Sequence, residues 1–429
     1  MNAGTFEDSL DGARNLDRAD ELAHLRRAFH LPRHGTRPAA YLSGHSLGLM
    51  PRRARHDMAR ELERWAKYGV EGHFETDDSP GWLDYHARFT APLARLTGAR
   101  RHEVVAMNTL TANLHLMLVS FFRPDRGRNK ILIEGQAFPS DRYAVQSHLR
   151  FHGLDPQAGL LEFASPASAG LLDAEAFERT LATEGERIAL VLLPGVQFLT
   201  GQRLDLKTYT RIAHRHGCAI GFDLAHAIGN VPLRLHESGA DFAVWCSYKY
   251  LNAGPGAVAG CFVHERWAER ADLPRFSGWW GHDKASRFDM PKRFAALRGA
   301  EGWQLSNPPI FSLVPLAASL DLFGTAGMGR LRRKSERLTA YLAYLLDRQL
   351  GDVGELLTPR DRAQRGCQLS LRLNVAPRQR RGLIKRLRES GVIADWRPPD
   401  VLRLAPVPLY NRFEDVYRAV RALRRALVP

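Results

Sequence analysis

Short apolar runs recur through the middle of the chain, and amphipathic segments separate them. Each run has the length of a single strand: NKILIEG at 129–135, RIALVLLPG at 187–195, CAIGFD at 218–223 and GADFAVWCS at 239–247. Strands that are apolar on both faces need cover on both sides, which helices between parallel strands provide. LDLKTYTRIAHRHG fits such a helix, because Gly217 is a suitable stop. The pattern predicts an α/β protein with a mostly parallel central sheet.

The pattern changes after about residue 310. Residues 327–350 fit one long helix, and CQLSLRLNV alternates like a half-exposed strand. The C-terminal NRFEDVYRAVRALRRALV fits a last helix, with Asn411 as its N-cap and Glu414 three residues on. We therefore expect a smaller α+β domain beside the large one. The expected division is an N-terminal segment 1–50 belonging to the small domain, a large cofactor-binding domain 51–310 and a small C-terminal domain 311–429.

A third amphipathic segment lies near the N-terminus, at RRARHDMARELERWAKY. Met58, Leu62, Trp65 and Ala66 fall on one stripe at helical spacing, which predicts a helix there.

Composition limits the class of protein. Of the 429 residues, 45% are hydrophobic and 25% are charged, which fits a globular chain and excludes a disordered or collagen-like one. No apolar run approaches the ~20 residues of a membrane helix, and the polar N-terminus is unlike a signal peptide, so we expect a cytoplasmic protein with no membrane partner. The net charge of +15 permits an anionic ligand. Without a zinc finger, an RNA-binding aromatic set or a repeat array, we expect no nucleic-acid partner.

The cysteines Cys218, Cys246, Cys261 and Cys367 are scattered along the chain. They form no CxxC pair and no cysteine–histidine metal spacing, so the sequence predicts buried free thiols and no metal site.

Gly44–Gly48 reads GHSLG and matches the GxSxG motif of serine hydrolases. That motif needs a strand before the serine and a helix starting at it. Only the short AAYL precedes this one, and Pro51 follows closely. A turn in which Ser46 bonds locally is the simpler interpretation. A hydrolase that uses Ser46 remains an alternative.

Two strand ends carry the strongest chemical signal. CAIGFD ends at Asp223, and DFAVWCS leads to Tyr248 and Lys249 ahead of a glycine-rich turn. Carboxyl ends of parallel strands share the edge of the sheet where ligands bind, so Asp223 and Lys249 can meet one ligand. A carboxylate and a lysine are what pyridoxal phosphate needs, for its pyridine nitrogen and its Schiff base respectively. The plain alternative is a surface lysine at a strand end.

The same stretch, GFDLAHAIGNVPLRLHESGADFAVWCSYKYLNAGPG, resembles the lysine region of the kynureninase family. Other segments resemble that family in the same order: YLSGHSLGLMP, WAKYGVEGHF, VVAMNTLTANLHLML, KILIEGQAFPSDRYAVQS, GVQFLTGQ, GWWGHD, LSNPPI and LRLAPVPLYN. The resemblance spans nearly the whole chain. It implies a fold type I pyridoxal-phosphate enzyme that cleaves L-kynurenine or 3-hydroxy-L-kynurenine to an anthranilate and L-alanine. Tryptophan degradation and NAD synthesis are the pathways it implies.

The resemblance also assigns roles to single residues. Lys249 matches the Schiff-base lysine, Asp223 the partner of the pyridine nitrogen and Tyr248 a proton shuttle or phosphate ligand. Cofactor contacts are further implied for Leu110, Thr111, Phe138, Ser140, Asp141, His226, Trp279 and Asn307. Substrate contacts are implied for Arg403, His73, Asn307, His282 and Ser46.

In that family Trp279 and Asn307 match positions donated by a second subunit, so the resemblance implies a homodimer with shared sites. Arg403 matches the arginine that binds the substrate carboxylate. Each residue also has a plain alternative: Phe138 in a core, Asn307 in a turn and Thr111 as an N-cap.

Two positions depart from the family pattern. His45 stands where the family usually has asparagine, which we expect to alter the polar contacts near the aryl ring of the substrate. Pro194 stands where some relatives have a serine that contacts the cofactor, and a proline has no donor to replace it.

Within pyridoxal chemistry the alternative is a cysteine desulfurase, which would need a cysteine in a flexible loop.

Overall fold

Helices and strands alternate along the chain in the computed structural model, which describes residues 6–75, 81–164, 170–267, 270 and 272–427. The helices, numbered in chain order, are α1 (Leu10–Arg18), α2 (Arg52–Tyr68), α3 (Ala87–Thr97), α4 (Leu110–Phe121), α5 (Pro139–Phe151), α6 (Pro156–Gly159), α7 (Ala174–Glu184), α8 (Leu206–Arg215), α9 (Leu235–Ser238), α10 (Ile310–Ala326), α11 (Met328–Leu350), α12 (Pro377–Arg380), α13 (Leu383–Glu389) and α14 (Phe413–Leu427). The strands are β1 (Arg33–His34), β2 (Arg37–Pro38), β3 (Ala40–Tyr41), β4 (Val104–Ala106), β5 (Lys130–Glu134), β6 (Leu160–Phe163), β7 (Ile188–Pro194), β8 (Ala219–Asp223), β9 (Phe242–Trp245), β10 (Gly260–Val263), β11 (Gly354–Leu356), β12 (Leu369–Leu373), β13 (Val392–Ile393), β14 (Asp395–Arg397) and β15 (Val401–Leu404).

A seven-stranded sheet organises the large part of the molecule, in the order β4-β10-β9-β8-β7-β5-β6. The neighbours from β9 to β6 run parallel, and β10 runs antiparallel to both β9 and β4. The apolar runs of the sequence form β5, β7, β8 and β9, and the mostly parallel sheet is confirmed. In the register of β8, Asp223 lies opposite Pro194 of β7 and Val244 of β9, which places its carboxylate at the carboxyl edge.

A second, antiparallel sheet of order β11-β12-β15-β14 forms the smaller α+β part, which confirms the predicted fold class. Its core joins α11 and α14 to the sheet through buried leucines such as Leu342, Leu371 and Leu402. Ala40 and Leu42 near the N-terminus belong to the same core, and β3 pairs with β13. The domain boundaries themselves stay a prediction, but α10 packs into the large core with Leu313.

The start of α14 is capped differently from the prediction. The carboxylate of Asp17, in α1, accepts from the backbone N–H groups of Phe413 at 2.7 Å and Glu414 at 3.0 Å. Asn411 instead accepts from Val407 N with its side-chain oxygen. The prediction of Asn411 as N-cap is therefore wrong. The carboxylate of Asp17, which is distant in sequence, binds the free N–H groups at the start of the helix instead.

The helix predicted from this stripe is confirmed as α2, although Leu62 is 47% exposed and Trp65 is 57% exposed. A neighbouring face of the helix is the buried one, and it carries the carboxylate of Glu61. That carboxylate accepts from Trp82 Nε1 at 3.0 Å and from the Tyr85 hydroxyl at 3.2 Å. Buried hydrogen bonds therefore outweigh the apolar pattern of this helix.

Helix α10 is strongly apolar, whereas α11, which follows it after Gly327, carries several charged residues in its first turns. Among the described residues, no single helix has both the length and the apolarity to cross a membrane. The two helices reach those limits only as a pair, and they are bent by 83° at the break between them.

Candidate active site

A cavity opens at the carboxyl edge of the large sheet, where β5, β7 and β8 end and the segment after β9 begins. Its wall combines strand-end side chains with the first turns of two helices. The lining residues are Leu110, Thr111, Glu134, Phe138, Ser140, Asp141, Pro194, Val196, Phe198, Asp223, Ala225, His226, Tyr248 and Lys249. Asp223 and Lys249, which the sequence placed at one edge, thus lie in one cavity.

Backbone contacts fix the turn that carries Lys249. The N–H of Gly48 donates to the carbonyl of Tyr248 at 2.8 Å, and the N–H of Asn252 donates to the carbonyl of Lys249 at 2.9 Å. A Cβ atom on Gly48 would lie 2.3 Å from the Lys249 carbonyl oxygen, so only glycine allows this approach.

The segment around Ser46 therefore packs against the turn that carries Lys249 and holds it in place. It is a turn closed by the N–H of Ser46 on the carbonyl of Ser43 at 2.9 Å, and α2 begins only at Arg52. The strand-to-helix geometry of a nucleophilic serine is not formed there. Ser46 does not line the cavity.

Three carboxyl groups face the cavity, those of Glu134, Asp141 and Asp223. They cannot all be ionised at the same time. Burial raises the pKa of Asp141 well above its usual value, and the negative Asp223 raises it further, so Asp141 keeps its proton and donates to Asp223. Burial also raises the pKa of Asp223, while the charge of Lys249 and the N–H of Ala225, at 2.6 Å, lower it. Burial raises the pKa of Glu134 to about 8. Of the three groups, Asp223 is the one whose ionised form the charge of Lys249 and a backbone N–H favour most directly.

The first turns of α4 and α5 meet at one end of the cavity. Thr111 in α4 and Ser140 in α5 bring their hydroxyl oxygens to 3.0 Å. The N-cap position of α4 belongs to Thr109, so the alternative of Thr111 as an N-cap is wrong. Two helix N-termini with hydroxyl groups and unpaired backbone N–H groups form a favourable setting for a phosphate.

Aromatic rings cover the cavity on its open side. The Nζ of Lys249 lies 5.8 Å from the ring centroid of Phe138 and 5.8 Å from that of Tyr248. Phe138 also meets the ring of Phe198 edge-on at 5.3 Å. Phe138 is partly exposed rather than in a core, so a flat ligand can stack on it. Burial and the neighbouring Cys246 raise the pKa of Tyr248, which keeps its hydroxyl protonated.

A polar cluster lies directly beside the cavity. The guanidinium of Arg403 donates to the carbonyl of Phe198, a lining residue, at 2.7 Å. Its other edge contacts Asp395, and His45 Nε2 lies 3.6 Å from that carboxylate. Burial, Lys249 and Arg403 lower the pKa of His226 well below its usual value, so it is neutral. His45 was predicted to act near the aryl ring of the substrate. Its neighbours Asp395 and Arg403 instead belong to the predicted site for the substrate carboxylate.

Besides Ser46, four predicted contacts lie away from this cavity. Trp279 is 42% exposed and donates from Nε1 to the carbonyl of Arg287 at 3.2 Å. Asn307 is exposed in the loop before α10. His73 packs edge-on against Trp82 with ring centroids 5.5 Å apart.

His282 is the fourth, and both nitrogens of its ring have partners. Nδ1 accepts from Ala295 N at 2.9 Å, and Nε2 meets the Ser286 hydroxyl at 3.2 Å. The roles of these four residues stay predictions.

A second cluster of side chains of the kinds that bind metal ions lies at the far side of the sheet. It consists of Glu103, His236 and His264. Glu103 Oε1 already accepts from His236 Nδ1 at 2.9 Å and from Glu265 N at 2.8 Å. His264 Nδ1 accepts from Arg266 N at 3.2 Å. These ligand atoms have partners of their own, so the cluster is a hydrogen-bond network.

The sequence analysis missed Glu134, Phe198 and Asp395. Glu134 ends β5 in the same way as Asp223 ends β8, so the strand-edge rule could have found it. Phe198 and Asp395 lie in a loop and on a strand of the small sheet, and no local pattern marks them.

Comparison with known proteins places this geometry in a family. The family model of the kynureninase C-terminal domain matches residues 331–423, and that of aminotransferase class V matches residues 88–374. The chain is 56% identical to a kynureninase of Myxococcus xanthus over 419 residues, which cover 97% of each chain. The chain belongs to the kynureninase family. A kynureninase of Xanthomonas campestris is 54% identical, with 96% of each chain covered.

Solved structures agree with the fold. The cystine C-S lyase C-DES superposes with a TM-score of 0.76 at 18% identity, covering 90% of this chain and 97% of that one. The cysteine desulfurase CsdA of Escherichia coli gives a TM-score of 0.75 at 17% identity, covering 95% of this chain and 98% of that one. At these identities the likeness concerns the fold type I architecture alone.

The cysteines of this chain do not suit desulfurase chemistry. Cys218, Cys246, Cys261 and Cys367 are all free and buried. Burial raises the pKa of Cys367 to about 12, and it also raises the pKa of the other three thiols. A thiol that is buried and protonated is a poor nucleophile.

Proposed function

We propose that the protein is a pyridoxal-phosphate-dependent kynureninase. It hydrolyses the Cβ–Cγ bond of L-kynurenine, or of 3-hydroxy-L-kynurenine, and releases an anthranilate and L-alanine. Membership of the kynureninase family over nearly the full length supports this activity. The observation that carries it is the presence of Lys249 and Asp223 in one cavity at the carboxyl edge of the sheet.

The polar groups of the cavity suit this cofactor. Asp141 Oδ1 and His226 Nδ1 are buried without a hydrogen-bond partner in the part of the chain that the structure describes, which is costly unless a ligand supplies one. A protonated pyridine ring would neutralise the excess of carboxyl groups around Asp223. The ring would stack on Phe138, and its phosphate would lie between the first turns of α4 and α5.

When bound, pyridoxal phosphate supplies an electron sink for the bond changes at the substrate carbons. Lys249 Nζ would hold the cofactor covalently. Once the substrate is bound, the free amine of Lys249 would be placed to accept the proton of the substrate α-carbon. Asp223 keeps the ring nitrogen protonated, and Tyr248, whose hydroxyl stays neutral, is placed to return a proton.

The substrate contacts follow from charge. Arg403 offers a planar guanidinium to the α-carboxylate. His73, His282, Asn307 and Ser46 are proposed for the aryl end of the substrate. Pro194 lines the cavity without an N–H, so it contributes shape and no hydrogen bond.

A homodimer with shared sites is part of the proposal. Trp279 and Asn307 are exposed on one chain and away from its cavity, as expected for residues offered to a partner. An exposed apolar groove between the Ser46 turn and α2 includes Leu47, Met50 and Leu62. An exposed apolar surface of this kind is typical of an interface.

We also propose that the protein acts in the cytoplasm, in tryptophan degradation or NAD synthesis. Free, buried cysteines suit a reducing compartment. The two pathways differ in which of the two substrates the enzyme prefers, so substrate preference separates them.

Turnover of L-kynurenine and 3-hydroxy-L-kynurenine tests the function directly, by the fluorescence of the anthranilate products. Borohydride reduction should bleach the visible band of the protein and add the cofactor mass to Lys249. Absence of turnover with both substrates would refute the activity, and added mass on another lysine would refute the site.

Ser46→Ala separates the proposal from a serine hydrolase. We expect the variant to bind the cofactor normally, and we expect no esterase activity in either protein. Labelling of Ser46 by a phosphonate that reacts with active serines would instead support the hydrolase.

A further inference from the structure

Arg403 is held on two sides by the protein itself. It is 1% exposed and lies on β15, directly opposite Asp395 of β14 in the strand register. Nε donates to Asp395 Oδ2 at 2.5 Å, and Nη2 lies within ion-pair range of the same oxygen. Nη1 donates to the carbonyl of Phe198 at 2.7 Å.

These contacts leave one edge of the guanidinium for a ligand. Asp395 takes the side formed by Nε and Nη2, so the end formed by Nη1 and Nη2 is the remaining fork. Nη2 is buried, and apart from its ion-pair contact with Asp395 it has no hydrogen-bond partner among the described residues. Because Nη1 reaches Phe198, which lines the cofactor cavity, this end of the guanidinium lies on the cavity side.

Asp395 is itself fixed by two further groups. Arg397 Nε donates to its Oδ2 at 3.1 Å, and His45 Nε2 lies 3.6 Å away. Burial alone would raise the pKa of Asp395, but His45, Arg403 and Arg397 hold it well below its usual value. Burial lowers the pKa of His45 to about 4, so His45 adds no charge at neutral pH. Asp395 is therefore a permanent carboxylate with a defined position.

We propose that Asp395 is a positioning residue for substrate recognition, which rests on the proposed function. By holding the Nε side of Arg403, it fixes the guanidinium so that the Nη1/Nη2 fork meets the α-carboxylate of the substrate. His45 and Arg397 keep Asp395 in place. The selected ligand class is an α-amino acid with a free carboxylate.

The test compares two ligands that differ only in that carboxylate. L-Kynurenine carries it, and the corresponding amine, 1-(2-aminophenyl)-3-aminopropan-1-one, lacks it. Binding of both to the holoenzyme is followed by the change in its visible absorption, and kcat and KM are measured for L-kynurenine. The variants are Asp395→Ala, Asp395→Asn and, as a control in the turn between β14 and β15, Asp400→Ala.

In Asp395→Ala we expect KM for L-kynurenine to rise at least about tenfold, because the guanidinium loses its fixed orientation. We expect kcat to stay within about threefold and binding of the amine within about twofold. Asp395→Asn keeps an acceptor oxygen for Nε, so its KM should rise by about threefold or less. Asp400→Ala should match the wild type.

Equal weakening of both ligands in Asp395→Ala would overturn the proposal, since a general structural defect would explain it. A lower KM would also overturn it, because Asp395 would then compete with the substrate for Arg403. If Asp395→Ala does not fold, an Asp395→Asn enzyme with a tenfold higher KM and a weaker bound amine would refute the proposal. Absence of L-kynurenine cleavage in the wild type would refute the proposed function instead.

Discussion

The cofactor half and the substrate half of the candidate site are built in different ways. In the cofactor half, Asp223, Lys249 and the first turns of α4 and α5 come from neighbouring parts of one sheet and meet in one cavity. In the substrate half, Arg403 comes from the small sheet, and Trp279 and Asn307 lie exposed elsewhere on the chain. One sheet thus supplies the groups proposed for the chemistry, while the residues proposed for the rest of the site come from separate parts of the chain and, in the proposed homodimer, from a second chain.

Replacement of Lys249 should have the largest effect, because it removes the reactive group of the cofactor half. We expect Lys249→Ala to lose at least about 10⁴-fold in kcat and to lack the visible band of the bound cofactor. Steady-state assays and absorption spectra check both. The exposed Lys207→Ala is the control, and near-normal activity of Lys249→Ala would remove the basis for the whole comparison.

Asp223→Ala should cost about 100-fold in kcat, or roughly 3 kcal/mol of barrier. Without this carboxylate the ring nitrogen of the cofactor loses its proton, and the electron sink weakens. Kinetics at saturating cofactor isolate this effect, and the exposed Asp352→Ala serves as control. A loss below threefold would show that Asp223 does not face the ring.

Mixed dimers test whether the substrate half is shared between chains. Lys249→Ala and Asn307→Ala proteins should each be nearly inactive, yet a mixed dimer of the two contains one intact site. After random exchange of subunits in equal amounts, half of the dimers are mixed, so about a quarter of wild-type activity should return. If exchange is shown by mass spectrometry and no activity returns, Asn307 does not act across the interface.

The smallest effect concerns stability rather than turnover. Burial raises the pKa of Glu134 to about 8, above the 4.5 of an exposed glutamate. The contribution of Glu134 to the free energy of unfolding is therefore fully present below pH 4.5 and is lost as the pH rises through 8. The reason is that Glu134 ionises at a lower pH in the unfolded chain than in the folded one. Glu134→Gln should raise the free energy of unfolding of the cofactor-free protein by about 3 kcal/mol at pH 7 and by little near pH 4.5.

Urea unfolding of the cofactor-free protein at several pH values measures this difference, with the exposed Glu186→Gln as the control. An equal gain for Glu134→Gln at pH 4.5 and pH 7 would assign it to packing rather than to ionisation.

The cofactor half could be predicted from sequence because its signals are local. Asp223 and Lys249 follow apolar strands, and parallel strands bring such ends together whatever the rest of the chain does. The large sheet was predictable for the same reason. The Asp395–Arg403 pair was not, since it depends on the register between β14 and β15.

The differences between local pattern and structure have a common physical origin. Apolar residues of α2 repeat with helical spacing, yet its buried face carries Glu61, which is stabilised by Trp82 and Tyr85 from another segment. Asn411 lost its capping role to Asp17 in the same way. In both cases a contact distant in sequence outweighs a local preference, and one sequence alone does not show such contacts.

The pairing of the first and last parts of the chain has a consequence during protein synthesis. Asp17 caps α14, and Leu42 N donates to the carbonyl of Ile393 at 2.8 Å, about 350 residues later in the chain. At roughly 5–20 residues per second a ribosome needs roughly 20–70 s to cover that interval. Throughout it, the N-terminal segment has emerged without the partners that bury Ala40 and Leu42. The large sheet can form on the ribosome, but the small domain is completed only when the last helix is released.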